Sequence, residues 1–225
     1  MANSWDKTWH NILKEGGSKR WKVDDINIKE KALKTILKHT AEKSKLQVFC
    51  PLAGDDPFVF HAFDQGHHVT SIDLVSSAVG EMRQQFSEGD WNCEEKPGNT
   101  VIWSHSSGRA TLVQGDATQK RPDWNSRFDI IYDKDSFGAL PKELRQPFCQ
   151  RLAEYTKDDA ILYIEVKNKP EGQRDAGPPF HVEKEDLMEH LGSAFDHVKE
   201  LGEVYPLGNF PGMSQMGHVL RKKKA

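Results

Sequence analysis

Cysteine is scarce in this sequence. Cys50, Cys93 and Cys149 are odd in number, widely spaced and without a CxxC or His-rich context, so neither a disulfide framework nor a zinc site is indicated. A reducing compartment fits best. Long apolar runs are missing too: nowhere do about 18 apolar residues follow one another, and "MANSWDKTWH" has no apolar core of the kind a secretory signal requires. The expectation is a cytoplasmic protein without a membrane partner. Charge of one sign is also lacking, because 31 basic and 34 acidic residues are well mixed to a net −3. With no basic stripe to follow a phosphate backbone, nucleic acid is not an expected partner. The short run "RKKKA" reads as a solvated end. No repeat or low-complexity linker divides the chain, so a single domain over residues 1–225 is expected, acting as a monomer.

What is present is an alternation of strand and helix signals. "INIKEKALKTILKH" places Ile28, Ala32, Leu33, Ile36 and Leu37 at helical spacing, with lysines on the other face. "LQVFCPL" is a short apolar run ending near Gly54, and Asp56-Pro57 is an N-cap followed by proline at the first helical position. "HHVTSIDL" and "FDIIYD" predict further strands, "SSAVGEMRQQF" and "PKELRQPFCQRLAEY" the helices between. "TVIWSHSSGRATLVQGD" predicts a hairpin around "SSGR", and "AILYIEV", "HVKELGEVY" and "GHVLRKK" the later strands, with a helix near "EKEDLMEHL". The expected fold is α/β: a doubly wound, mostly parallel sheet with helices on both faces and antiparallel strands at one edge.

Such a sheet binds ligand beyond the carboxyl ends of its strands. Gly54 stands there in "FCPLAGDDPFVF", where a missing side chain lets backbone approach a ligand. Asp73 follows 19 positions later, close to the roughly 20-residue interval at which these folds place an acid on ribose hydroxyls. A dinucleotide enzyme shares that acid but carries G-x-G-x-x-G, whereas this turn has Asp55 and Asp56, whose carboxylates would repel a pyrophosphate. The ligand expected is therefore a ribose-bearing, phosphate-free one such as S-adenosylmethionine.

These pieces, taken in order, resemble the thiopurine S-methyltransferase family of class I methyltransferases over nearly the whole chain. The carriers are "WDKTW", "VFCPLAGDD", "FDQGHHVTSIDLV", "SSGRATLVQGD", "FDIIYDKDSFGAL" and "GPPFHV". The resemblance implies that Leu52, Gly54, Asp73, Asp116, Ala117 and Asp133 bind S-adenosylmethionine. It also implies that Trp5 and Trp9, in a segment spanning residues 1–25, cover the cofactor. By residue type alone the two tryptophans equally suit an ordinary packed terminal helix. Substrate-binding positions implied in the same way are Trp21, Lys134, Pro179, Phe180 and Met213, with no metal.

Lys134 stands where the family commonly has Arg and is the candidate catalytic residue, orienting the acceptor or lowering its pKa. A lysine is a point charge without the planar fork of Arg, so the acceptor expected is a small thiol rather than a flat heteroaromatic one in particular. Sulfide, halide, thiocyanate or a selenium or tellurium species is the alternative, as is a non-catalytic adenosine-ligand sensor. "PLGNFPGMSQMGH" is uncharged apart from His218 and would furnish an apolar wall through Phe210, Met213 and Met216. His67, His68 and His181 are assigned structural roles.

Overall fold

The computed structural model describes residues 2–14, 23–86, 89–207 and 211–224, and divides into two compact units. The first comprises Met1–Thr35 and Lys43–Ala117, the second Ile36–Glu42 and Thr118–Ala225.

In the first unit, α1 (Ala2–Lys14) and the start of α2 (Ile26–His39) precede β1 (Gln47–Pro51), α3 (Phe58–Asp64), β2 (His68–Asp73) and α4 (Ser76–Gln84). Then come β3 (Trp91–Lys96), β4 (Thr100–His105) and β5 (Ala110–Gln114). β1 pairs parallel with β2, from Gln47↔His68 to Pro51↔Ile72, and β2 parallel with β5, from Val69↔Ala110 to Asp73↔Gln114. This register brings the carboxyl ends of three strands to one edge, and with them residues 52–56, Asp73 and Asp116. β1 and β2 are buried almost end to end, as strands covered on both faces must be. The hairpin expected around "SSGR" is β4–β5, antiparallel from Val101↔Gln114 to Ser104↔Thr111. β3, which the sequence pattern did not reveal, extends that hairpin as an exposed strand. Its Glu94, Glu95 and Lys96 are charges of the kind that keep a free sheet edge from recruiting another strand.

The second unit holds β6 (Phe128–Lys134), a single turn α5 (Ser136–Ala139), α6 (Lys142–Tyr155), β7 (Thr156–Asn168), α7 (Lys184–Leu191), β8 (Phe195–Pro206) and β9 (Ser214–Lys222). β6 and β7 are parallel, with Lys134 opposite Glu165, while β9 runs antiparallel to both β7 and β8. Because β9 begins where β7 ends, Lys167 faces Gln215 and Asn168 faces Ser214. The core of this unit is aliphatic and aromatic: Phe128, Ile130, Ile131, Phe148, Leu152, Ile161, Leu162, Ile164 and Phe195 are all out of contact with water. The α/β class, the parallel strands and the antiparallel edge pairs agree with the sequence reading.

One helix departs from it. α2 has the expected bounds, but its inward face carries Lys29 together with Ala32, Leu33 and Ile36, and Lys29 is fully buried. The lysines of this helix are therefore not confined to its solvated face. At α3 the helix begins at Phe58, with Pro57 as its cap, one position later than the sequence suggests. Asp56 still serves the helix start, because its Oδ1 accepts the Phe58 N–H at 2.8 Å.

Candidate active site

The turn after β1 is shaped by two left-handed residues, Leu52 at φ 42° and Gly54 at φ 56°. Gly54 needs its missing side chain for a second reason: a Cβ there would stand 3.1 Å from Cζ2 of Trp9. Trp9 is buried against this glycine and forms a cluster with Val75 and Ala78 at the start of α4. From the end of β2, Asp73 accepts the Gly54 N–H on Oδ2 and the Val75 N–H on Oδ1, both at 2.9 Å. Burial raises the Asp73 carboxyl above the ordinary range, against the pull of these N–H groups. The backbone carbonyl of Asp73 accepts the Gly115 N–H at 2.8 Å, which ties the half-buried Asp116 and Ala117 to the end of β2.

Asp56 is not a free charge: its Oδ2 lies 2.8 Å from the ammonium of Lys29. The backbone carbonyl of Asp55 accepts from Gln85 Nε2 at 2.7 Å. Repulsion of a pyrophosphate, argued from sequence, is thus weakened by a buried counter-ion that the local sequence does not reveal.

In the second unit the end of β6 presents Asp133 and Lys134, and Asp135 follows in the left-handed region at φ 62°, which Asp tolerates better than most residues. Asp133 is fully buried. Its Oδ1 accepts the Ser136 N–H at 2.8 Å while Oδ2 has no hydrogen-bond partner, and burial raises the carboxyl to about 7. Asp135 gathers Lys167 at 3.1 Å, Lys134 at 3.6 Å and Gln215 Nε2 at 3.0 Å. Lys167 also donates to Gln215 Oε1. Burial acts to raise the Asp135 carboxyl, but Lys167 and Lys134 outweigh it and hold the group below the usual carboxylate range. Burial pushes the Lys167 ammonium down. Beneath them Glu165 accepts both tyrosine hydroxyls, Tyr163 at 3.0 Å and Tyr205 at 2.9 Å.

The family model described as thiopurine S-methyltransferase (TPMT) matches residues 2–219. The chain belongs to the thiopurine S-methyltransferase family. A curated thiopurine S-methyltransferase of Psychrobacter cryohalolentis is 25% identical over 211 residues, covering 89% of this chain and 94% of the relative. That of Vibrio campbellii is 25% identical over 210 residues, with 92% of each covered. Among solved structures, the 1,6-didemethyltoxoflavin-N1-methyltransferase of Burkholderia thailandensis superposes with a TM-score of 0.68 at 17% identity, covering 99% of this chain and 87% of that one. The N-methyltransferase NodS of Bradyrhizobium japonicum gives 0.68 at 14%, covering 97% and 100%. Their likeness shows the fold, which is that of the class I methyltransferases. Membership in this family and this fold together make the chain an S-adenosylmethionine-dependent methyltransferase.

The residues present fit that donor. The Asp73 carboxylate keeps acceptor capacity beyond the N–H groups it holds, while the space a Cβ at Gly54 would take is already met by the Trp9 ring. Leu52, Gly54, Asp73, Asp116, Ala117 and Trp9, expected from the family to bind or cover the cofactor, all belong to the first unit. Asp133 and Lys134 belong to the second and are joined there by Pro179 and Phe180, whose loop is clasped to α5 through Phe180 N–H on the Gly138 carbonyl at 2.7 Å. Met213 is half-buried just ahead of β9. Trp21 and Phe210 lie outside the described residues, as does the side chain of Trp5. His67 and His181 have structural work: His67 Nδ1 accepts the Leu46 N–H at 3.3 Å, and His181 bridges the Lys169 N–H, 2.9 Å away, to Glu183, 2.8 Å away.

Sequence reasoning missed Lys29, Gln85, Lys167 and Gln215. Only Lys29 left a legible signal, since it falls on the apolar stripe of α2 at i, i+3, i+4 and i+7 with Ala32, Leu33 and Ile36.

Proposed function

We propose that this methyltransferase acts on the sulfur of a small thiol. The supporting observation is the cation pair at the end of β6 and β7: Lys134 and Lys167, both nearly buried, meet at the carboxylate of Asp135. A cation held away from water stabilises a thiolate and lowers the pKa of the thiol that forms it. When bound, the donor supplies a methyl carbon activated by its sulfonium.

In this reading Asp73 accepts the ribose hydroxyls, Asp116 accepts from the adenine amine, and Trp9 with Trp5 covers the cofactor. The family resemblance assigns Asp133 to the cofactor as well. Lys134 orients the acceptor as an anion, its proton having passed to solvent, and the family resemblance assigns Pro179, Phe180, Met213 and Trp21 to the acceptor. In this reading transfer is direct, in line from the donor's methyl carbon to the acceptor sulfur.

A monomer working in the cytoplasm on a small molecule completes the reading. The described cysteines are free, and no described helix is long and apolar enough to cross a membrane. The test is incubation with methyl-labelled S-adenosylmethionine and a panel of thiols, thiopurines, sulfide and iodide. Label in thiols supports the proposal; label only in iodide or sulfide makes it a soft-anion enzyme. Cofactor binding by calorimetry with no product from any of them would sink the catalytic reading in favour of a sensor.

A further inference from the structure

The turn that carries Gly54 is held from three directions. Asp73 reaches it from β2, bonding the Gly54 N–H. Gln85, at the end of α4, donates Nε2 to the Asp55 carbonyl at 2.7 Å. Lys29, from α2, places its ammonium 2.8 Å from Asp56 Oδ2, while Asp56 Oδ1 holds the Phe58 N–H at 2.8 Å and the Asp56 N–H donates to the Ala53 carbonyl at 2.9 Å. Two of the three restraints are side chains that touch no expected ligand position, and they act on consecutive residues, 55 and 56.

The Lys29–Asp56 pair is an expensive choice for stability alone. Lys29 is fully buried and Asp56 nearly so. Removing both charges from water costs several kcal/mol per ion before their attraction returns any of it, and an apolar pair of similar volume often serves stability as well or better. What an apolar pair lacks is direction: an ammonium on one carboxylate oxygen and an N–H on the other set where the carboxylate sits, and so where residues 53–58 run. The Gln85 bond does the same for the peptide before it. A binding turn is effective when the groups supporting it are themselves locked.

We propose that Lys29 and Gln85 are positioning residues for the cofactor turn, setting the affinity for S-adenosylmethionine through the placement of residues 54–56 without touching it. The proposal rests on the assignment of Gly54 and Asp73 to the cofactor.

The test uses the full chain and S-adenosylhomocysteine as the probe. Gln85→Glu keeps the shape of the side chain and removes its N–H donor. The double variant Lys29→Met with Asp56→Asn removes the buried ion pair, avoids a lone buried charge and keeps an acceptor for the Phe58 N–H. Each is expected to weaken S-adenosylhomocysteine binding about tenfold by calorimetry, on the scale of one lost hydrogen-bond restraint. The KM for S-adenosylmethionine should rise in step, while the KM for an accepted thiol stays within about twofold. Lower melting temperatures with the affinity of the folded protein unchanged in Gln85→Glu would overturn the proposal, reducing both residues to structural supports. If the parent protein itself gives no binding heat, the cofactor assignment fails first, and the proposal with it.

Discussion

Asp73 and Gly54 are joined by a 2.9 Å hydrogen bond from the glycine N–H to Oδ2 of the carboxylate. The acid proposed as the ribose ligand is therefore also a brace for the turn on the neighbouring strand. Asp73→Ala removes the acceptor for two N–H groups, Gly54 and Val75, and is expected to cost roughly 1–3 kcal/mol of stability as well as affinity. The more informative change is Asp73→Asn, which keeps one carbonyl acceptor. It should melt closer to the parent, with S-adenosylhomocysteine affinity reduced about tenfold. Calorimetry showing parental affinity would remove Asp73 from the site.

Gly54→Ala should destabilise the fold by about 1–2 kcal/mol for the left-handed backbone alone. The new Cβ also meets Trp9 Cζ2 at 3.1 Å. Combining it with Trp9→Leu is expected to recover the steric part, read by thermal melting of both variants, and to leave the backbone part unrelieved.

The Asp133 carboxyl is raised by burial from 3.8 to about 7. The native state therefore binds this proton more tightly than the unfolded chain, and the group's contribution to stability falls as pH climbs from about 4 through about 7. Asp133→Asn keeps an acceptor for the Ser136 N–H and cannot ionise. Relative to the parent it should gain stability between pH 5 and pH 8, by roughly 2–4 kcal/mol if the whole shift is expressed, measured as denaturant midpoints across that range. A difference independent of pH would show that this carboxyl does not titrate in the window.

Lys134→Met should lower kcat/KM for the best thiol by roughly 10- to 100-fold, with the KM for S-adenosylmethionine little changed. The loss should be smallest for thiols of low pKa, which need no help to ionise. Lys167→Met removes the stronger of the two contacts on Asp135 and is expected to raise the pH at which methylation reaches half its plateau. Equal losses across thiols of different pKa would assign Lys134 to packing.

Local pattern carried far in this chain because the buried strands and the amphipathic helices leave short-range periodicities. The bounds of α2 and the hairpin β4–β5 follow from periodicity and turn chemistry, whereas β3 does not, since "WNCEEK" is an exposed edge strand with no buried face to impose alternation. That Gly54, Asp73 and Asp116 gather at one edge was legible because a parallel sheet puts consecutive strand ends together. Lys167 and Gln215 were not, because their partnership with Asp135 depends on the antiparallel register of β9 against β7, which brings residues 80 positions apart into contact.

The sequence by itself therefore determined the α/β class, the glycine turn and the acid that follows it, and the family, all of which rest on short-range pattern and on motif order. The tertiary structure decided the electrostatic state of the groups involved. In the sequence Asp56 is a helix cap beside another acid; in the fold it is one half of a buried ion pair with Lys29, 27 residues away. In the sequence Lys134 is a lysine between two acids; in the fold it is one of two nearly buried lysines on Asp135. The reason is physical: the state of a buried charge depends on desolvation and on partners within a few ångströms, and only chain folding determines which partners those are.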